Sequence, residues 1–325
     1  MKRVIVCFVL LFSTGLLSAH SVKTEGDKYI VSHEWDFEGQ KWSCKIPVKK
    51  DLYNYYKNER EHIGFNFPAY ALSEYDRKFV KGLISSFRKS GNKVSMSDFE
   101  VVKNVVCFVQ SLQYVTDKKS TGLDDYVRFP VETIVDGIGD CEDFAILVAS
   151  ILHEMNYSVV LLQLPGHLAV AVASEDFVTG TYYKYNGKKY YYLETTNPGW
   201  DIGDIPNDYK KISAEVLPLV SKPVLFISST NYSVTYTSDK AGFDVKCKFT
   251  NYGPLSTKET FVYVETVFNG EIIANNIKYI KDVKEGETKE IVVHLDSPNK
   301  NVFELNIVVG GKNCKRVSNH FDINL

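Results

Sequence analysis

Cys141 has the neighbours that a nucleophilic thiol needs. It stands in "GDCEDFAILVASIL", where a Gly-rich turn meets a run of small and apolar residues that is typical of a buried helix. Asp140 is a good N-cap and Asp143 follows at the spacing of a capping box, which predicts that Cys141 lies in the first helical turn. A helix N-terminus favours the reactive thiolate. The backbone N–H of Cys141 could also bind a developing oxyanion.

His167 is the histidine best placed to act as a general base. It follows the Pro-Gly turn in "LPGHLAVAV" and begins a predicted strand, from which its side chain can project toward a helix tip. His153 follows Cys141 on the same predicted helix, roughly 18 Å away. The other histidines lie in the predicted leader, lead-in or C-terminal segments: His20, His33, His62, His294 and His320. A structural histidine at a strand end is the alternative for His167.

Glu194 is a lone carboxylate among aromatic residues in "YYYLETTNPGW", near the end of another predicted strand. If it is buried it needs a partner, and His167 on a neighbouring strand is the natural one. An exposed charge at a sheet edge is the alternative. A cysteine at a helix start, followed by a histidine and an acid on successive strands, is the arrangement that a papain-like site requires.

Three segments resemble the transglutaminase-like superfamily, in particular its secreted microbial branch with GDCED, PGH and LETT motifs: "PVETIVDGIGDCEDFAILVASIL", "PGHLAVAV" and "YYYLETTNPGWDIGDIP". The resemblance extends upstream to "LYNYYKNER" and "FVQSLQYVTDKKSTG", so it covers about residues 30–210. It implies that Cys141 is the nucleophile, His167 the base and Glu194 the orienting acid. The superfamily usually has Asp at the third position, and Glu is one methylene longer.

Other functional residues follow less directly from the resemblance. The side chain that would help to bind the oxyanion does not map onto a single position; Gln110, Gln113 and Tyr114 are the candidates. Trp200 could form a wall on the acyl-acceptor side of the cleft or only cap the core. Calcium is not implied, because no loop with closely spaced oxygen ligands is visible.

The surrounding elements predict an α+β fold. A hairpin that turns at Glu38-Gly39 lies in a lead-in segment, residues 22–60, and two helical patterns follow, the first between Ser73 and Gly91. The cysteine helix precedes strands that include a hairpin at Asn186-Gly187. We therefore predict that residues 61–222 form a papain-like, transglutaminase-like domain, with the nucleophile helix packed on an antiparallel sheet.

Residues 223–325 contain only short strand patterns separated by turn residues, which predicts an all-β sandwich. "FTNYG" and "VKEGETKEIVVHL" resemble immunoglobulin-like or CARDB-like modules. That resemblance implies positioning or contact with a protein partner rather than catalysis.

The N-terminus predicts secretion. Lys2 and Arg3 precede an uncharged run that ends in small residues, so residues 1–21 are interpreted as a signal peptide that is cleaved. A membrane anchor is the alternative, but the apolar run is short for a span. The expected location is extracellular or periplasmic, with no membrane span in the mature chain. The net charge of −2 and the lack of a basic cluster make a nucleic-acid partner unexpected.

Five cysteines remain after the predicted cleavage, an odd number in a compartment that permits disulfides. A disulfide between Cys247 and Cys314 is plausible, and a pair between Cys44 and Cys107 is left open. Cys107 also fits a buried apolar position in the second helix. At least one thiol stays unpaired within the chain.

These observations predict a secreted, thiol-dependent acyl-transfer enzyme that hydrolyses a peptide or amide bond of a protein or peptide substrate. A cross-linking transglutaminase and a catalytically silent extracellular binding or adhesion protein are the alternatives. No cofactor or metal is expected, since a site made from Cys141, His167 and acidic neighbours fits no usual zinc spacing.

Overall fold

The computed structural model describes residues 7–11, 20–59, 66–173, 179–298 and 302–324. They divide into two compact units, an N-terminal unit of residues 1–220 and a C-terminal unit of residues 221–325. Most of the predicted signal peptide, residues 1–21, lies outside the described residues. In the described part of the chain, no helix is both long and apolar enough to cross a membrane.

All the helices described here belong to the N-terminal unit. They are α1 (Lys50–Asn54), α2 (Phe67–Ala71), α3 (Glu74–Lys93), α4 (Asp98–Gln110), α5 (Asp117–Ser120), α6 (Pro130–Asp136) and α7 (Cys141–Glu154), with a π-helical turn at Tyr55–Glu59 and a 3-10 turn at Asn207–Tyr209.

The strands of the N-terminal unit form three sheets. The strands are β1 (Cys7–Leu11), β2 (His20–Glu25), β3 (Lys28–Phe37), β4 (Gln40–Lys49), β5 (Gln113–Tyr114), β6 (Ile138–Gly139), β7 (Val159–Leu164), β8 (His167–Ala173), β9 (Tyr182–Tyr185), β10 (Lys188–Leu193) and β11 (Glu215–Pro218). The sheet orders are β1-β4-β3-β2, β11-β7-β8-β10-β9 and β5-β6. The first two sheets are antiparallel and the third is a parallel pair.

Both predicted hairpins are confirmed. Glu38 and Gly39 join β3 to β4 with φ of 52° and 73°. Asn186 and Gly187 join β9 to β10 with φ of 46° and 77°, the positive values that a two-residue hairpin turn needs. On its other side β10 pairs with β8, so Glu194, the residue after β10, follows a strand that neighbours the one that His167 begins.

Helix α7 is the centre of the N-terminal unit. Ten successive residues, Asp143–Leu152, are buried, and the helix contacts β7 and β8 of the five-stranded sheet as well as α2, α3, α4 and α6. A helix that is apolar on all sides needs such an enclosed position. Helices and antiparallel sheets in one unit agree with the predicted α+β class.

The predicted end of α3 at Gly91 is wrong, because the helix continues to Lys93. Gly91 allows a close approach between helices instead. A Cβ atom at this position would lie 2.8 Å from Cγ2 of Val101 on α4. The absence of a side chain therefore serves packing rather than helix termination.

The described residues of the C-terminal unit form two antiparallel sheets around one apolar core. The strands are β12 (Leu225–Tyr236), β13 (Lys240–Asn251), β14 (Thr260–Phe268), β15 (Glu271–Ile280), β16 (Thr288–Pro298), β17 (Val302–Gly311) and β18 (Cys314–Asn324). The sheet orders are β12-β13-β16 and β15-β14-β17-β18. Both sheets contribute alternate residues to the core, among them Phe243, Val264 and Ile307.

The expected disulfide between Cys247 and Cys314 is wrong: both thiols are free, as are Cys44, Cys107 and Cys141 among the described residues. Cys247 lies in β13 and Cys314 in β18, which belong to different sheets. Cys247 is fully buried in the core, whereas Cys314 is only partly buried. Cys107 is also only half-buried, so the predicted buried position holds in part.

Candidate active site

Cys141 is the first residue of α7, as the capping pattern predicts. Asp140 is the N-cap, and its backbone N–H donates a hydrogen bond to Oδ2 of Asp143, at 3.3 Å. Gly139 leaves room for this turn, since a Cβ there would lie 2.7 Å from Cβ of Asp143. The backbone N–H of Leu168, the second residue of β8, acts to lower the pKa of the Cys141 thiol.

The expectation that the helix start makes the thiol acidic is not met in this conformation. Cys141 donates a hydrogen bond to Oε2 of Glu142, with 3.0 Å between sulfur and oxygen. Burial and the Glu142 carboxylate raise the pKa of the thiol above its usual range, although the Leu168 N–H opposes the shift. These effects outweigh the helix N-terminus, so the thiol is neutral at rest.

His167 is held between two aromatic residues and an acid. Its ring stacks on Tyr209, with 5.1 Å between ring centroids and 10° between planes. Nε2 lies 3.3 Å from the hydroxyl of Tyr192 and 3.7 Å from Oε2 of Glu194. Nε2 is therefore the ring nitrogen that faces the hydroxyl and the carboxylate.

Glu194 is buried, with 2% of its surface exposed, so the alternative of an exposed edge charge is wrong. Oε1 accepts hydrogen bonds from the N–H groups of Thr195 (3.0 Å) and Thr196 (2.9 Å) and from the Thr196 hydroxyl (2.5 Å). Oε2 accepts one from Tyr192 at 2.9 Å. Burial acts to raise the pKa of Glu194, but His167 and Thr196 outweigh it and lower the pKa to about 2. The carboxylate is therefore ionised.

A buried arginine supports the first turn of α7. Arg128 is 1% exposed; its Nη1 donates to Asp143 at 2.6 Å and to Asp117 at 3.0 Å, and its backbone N–H donates to Asp143 at 2.7 Å. Nη2 donates to Ser120 at 2.8 Å. Arg128 thus stabilises the first turn of α7, because its positive charge compensates the carboxylates of Asp117 and Asp143.

Three carboxylates near the thiol could hold a cation. One oxygen each of Asp117, Asp140 and Glu142 lies within 4.8 Å of the others, so two distant segments form a cluster that no single loop in the sequence indicates. Oδ1 of Asp140 is buried without a hydrogen-bond partner. Burial and the charges of Asp143 and Glu142 raise the pKa of Asp140 to about 9. Asp140 is therefore protonated at neutral pH, and Arg128 pairs with Asp117 of the three.

The three candidate oxyanion donors have different positions. Gln110 is buried and donates through Nε2 to the backbone oxygen of Glu194, at 2.8 Å, which makes it a support of the acid. Gln113 is exposed. Tyr114 is half-exposed, and burial and then electrostatic interaction with Cys141 and Asp140 raise its pKa to about 12. Of the three, Tyr114 is the side chain that interacts electrostatically with the thiol.

The sequence reasoning missed two tyrosines at His167. Tyr192 could have been found from the period of two along β10, because Tyr192 and Glu194 share a face of the strand. Tyr209 lies after a long loop and had no comparable signal. Trp200, which could have formed a wall of the cleft or capped the core, is half-buried. Among the described residues, the ring that stacks on the His167 imidazole is that of Tyr209.

Residues 88–196 match a family model described as a transglutaminase-like domain. The match spans about a third of the chain and contains Cys141, His167 and Glu194. It supports the predicted superfamily for this segment. No curated protein sequence matches the chain.

Solved structures show only distant likeness. A protein from Archaeoglobus fulgidus is 10% identical, with 31% of this chain and 98% of that chain covered and a TM-score of 0.23. An ApaA-type protein from Bordetella pertussis is 12% identical, with 33% and 97% covered and a TM-score of 0.25. A glycosyl hydrolase family 2 member from Bacteroides cellulosilyticus is 12% identical, with 52% and 26% covered and a TM-score of 0.28. Such likeness extends to neither activity nor substrate.

Proposed function

We propose that the protein is a thiol-dependent acyl-transfer enzyme that hydrolyses a peptide or amide bond of a protein or peptide substrate. Cys141 is the nucleophile, His167 the general base and acid, and Glu194 the acid that orients the imidazole. The observation that carries this proposal is that His167 lies 3.7 Å from a buried, ionised Glu194, within a segment that matches a transglutaminase-like domain and has Cys141 at the start of α7.

The neutral thiol defines the order of proton transfers. As the sulfur attacks the amide carbon, its proton passes to Nδ1 of His167, and the carbonyl π electrons move onto oxygen. When the tetrahedral intermediate collapses, the C–N bond breaks, and His167 returns the proton to the departing amine. Water then attacks the thioester, gives one proton to His167 and releases the acid. The sulfur regains its proton in this last step. A primary amine in place of water would give a cross-link.

Alkylation with iodoacetamide tests the thiol without a known substrate. Because His167 can take the thiol proton as the sulfur reacts, we expect Cys141 to be labelled faster than the other cysteines between pH 6 and 8 despite its raised pKa, with peptide mass mapping to locate the label. His167→Ala should slow this labelling at least roughly tenfold, since the base is lost. His153→Ala is the matched control, because His153 lies at the far end of the same helix. Labelling of Cys141 that is slow and indifferent to His167 would contradict the enzyme proposal and favour the binding protein.

The choice between water and amine needs a second assay. A library of acyl-amide peptides is incubated with the protein in the presence of a fluorescent primary amine. Release of free acid with little amine incorporation supports hydrolysis, and dominant incorporation would replace it with cross-linking. Cys141→Ala is the blank in both arms.

Export and the role of the C-terminal unit are parts of the same proposal. The mature protein is expected outside the cytoplasm with its N-terminus at Val22, which N-terminal sequencing of the exported protein checks. Retention of Met1 on the exported chain would contradict cleavage. The C-terminal unit is proposed to be an immunoglobulin-like or CARDB-like module that contacts a protein partner; deletion of residues 221–325 should then leave Cys141 labelling intact.

A further inference from the structure

We propose that Tyr192 is a positioning residue whose hydroxyl links His167 to Glu194 and fixes the tautomer of the imidazole. The inference rests on the proposed function for its catalytic meaning, but its geometry stands on its own. Nε2 of His167 is closer to the Tyr192 hydroxyl (3.3 Å) than to the Glu194 carboxylate (3.7 Å). The shorter distance is a hydrogen bond, whereas the longer one is that of an ion pair.

The direction of the hydrogen bonds follows from the donors available. The Tyr192 hydroxyl donates to Oε2 of Glu194 at 2.9 Å. Burial and the Glu194 charge raise the pKa of Tyr192 well above its usual range, so the hydroxyl keeps its proton. Its oxygen can then only accept from His167, which requires the proton of the neutral imidazole to be on Nε2. Nδ1 is consequently the unprotonated nitrogen that can accept the thiol proton.

The sheet is built to hold this tyrosine in place. Tyr192 is fully buried, and a buried hydroxyl needs partners, which here are the two predicted catalytic residues. It lies directly opposite Ala171 in the β10–β8 register, and Ala169 is the next residue of β8 on that face. Both alanines are fully buried and small, so the phenol ring fits across the sheet toward His167.

The fixed position of Glu194 explains why a group is needed to link it to His167. Its Oε1 accepts hydrogen bonds from the Thr195 and Thr196 backbone and from the Thr196 hydroxyl, so the carboxylate is fixed at the end of β10. His167 is faced by Tyr192 and Glu194 and by the ring of Tyr209. In this group, Tyr192 is the residue within hydrogen-bond range of both the imidazole and the acid.

The tautomer of His167 is measured by NMR on protein with ¹⁵N-labelled histidine at pH 7.5, with His167→Asn to assign the signals. Wild type should show the Nε2–H form. In Tyr192→Phe that preference should be lost, with ¹⁵N shifts that indicate a mixture of tautomers. Tyr190→Phe is the matched control: Tyr190 is a buried tyrosine two residues earlier on the same strand. A proton on Nδ1 in wild type, or an unchanged tautomer in Tyr192→Phe, overturns the inference.

Cys141 alkylation supplies the catalytic readout. Tyr192→Phe and Glu194→Gln should each lower the rate by roughly tenfold, and the double variant should be no slower than the worse single variant, because both act through the same imidazole. Additive losses contradict the link. If wild-type Cys141 reacts slowly, the proposed function fails, while the NMR result still decides the role of Tyr192. The wild-type spectrum also decides it if Tyr192→Phe does not fold.

Discussion

The two units of the chain bury different kinds of polar groups. The N-terminal unit buries ionisable side chains close to the candidate site, among them Arg128, Asp143 and Glu194. In the described part of the C-terminal unit, the buried polar side chains are all neutral: Thr250, Asn251, Thr257, Thr260, Thr266 and Ser297. Burying a charge costs far more than burying a hydroxyl. The cost is concentrated where the chemistry is proposed, and the C-terminal unit has the composition of a scaffold.

Tryptophan makes this comparison measurable. All three tryptophans of the chain, Trp35, Trp42 and Trp200, lie in the N-terminal unit. Their fluorescence reports the unfolding of that unit, and hydrogen exchange of peptides from residues 221–325 reports the other.

The largest expected effect is the loss of Arg128. Arg128→Met leaves Asp117 and Asp143 buried without their cation, which should lower the free energy of unfolding of the N-terminal unit by about 3–5 kcal/mol. Urea unfolding followed by tryptophan fluorescence measures it. Arg77→Met is the control: it removes partly exposed ion pairs to Glu74 and Glu154 and should cost about 1 kcal/mol or less. Equal losses in the two variants would mean that the buried network is not what holds this unit.

The next largest effect is a loss of stability of the N-terminal unit at acid pH. The folded-state pKa of Glu194 is about 2, below its ordinary value of 4.5. Its contribution is therefore complete above about pH 4.5 and is lost as the pH falls toward 2, by about 3 kcal/mol in total. Fluorescence-detected unfolding between pH 5 and 2.5 should show this loss, and Glu194→Gln should flatten it. A parallel slope in hydrogen exchange of the C-terminal unit would show that the acid sensitivity has another origin.

A smaller effect concerns the different causes that raise the pKa of two thiols, Cys247 and Cys141. Burial alone raises the pKa of Cys247 to about 12, whereas Glu142 contributes to the shift at Cys141. Glu142→Gln should therefore speed the alkylation of Cys141 at pH 7.5 by roughly tenfold, the effect of one pKa unit, and leave Cys247 unlabelled. An unchanged alkylation rate would mean that burial alone raises the pKa of Cys141.

The smallest effect is expected in the C-terminal unit. Thr266 and Ser297 share a buried hydrogen bond of 2.9 Å between their hydroxyls. Ser297→Ala should cost about 1–2 kcal/mol, while Thr266→Val with Ser297→Ala should return close to wild type, because no unpaired hydroxyl then remains. Hydrogen exchange of β14 and β16 measures both. A double variant as unstable as Arg128→Met would remove the distinction between the units.

The features that could be predicted from the sequence depend on residues that lie close together in the chain. Asp140 and Asp143 bracket the helix start, and Asn186-Gly187 specifies a turn, so α7 and the β9–β10 hairpin follow from local patterns. The candidate trio was found in the same way, since each member begins or ends an element.

The features that were missed depend on residues far apart in sequence. Arg128 compensates Asp143 fifteen positions away, and Gln110 donates to the backbone oxygen of Glu194 across 84 positions. The pair Cys247–Cys314, which the sequence left plausible, is not formed, because strand spacing does not say which side chains meet between the two sheets. Charge balance and contacts between sheets are properties of the assembled fold, and a pattern read along the chain does not contain them.

The burial of α7 has a consequence for motion. Because Asp143–Leu152 are enclosed on all sides, the amides of this helix can exchange with solvent only when the whole unit opens. Tyr209, by contrast, lies in a short 3-10 turn with surface exposure. Cys141 thus begins an enclosed helix, whereas the ring that stacks on the imidazole belongs to a partly exposed turn. Hydrogen exchange is therefore expected to be slower along α7 than in the Asn207–Tyr209 turn.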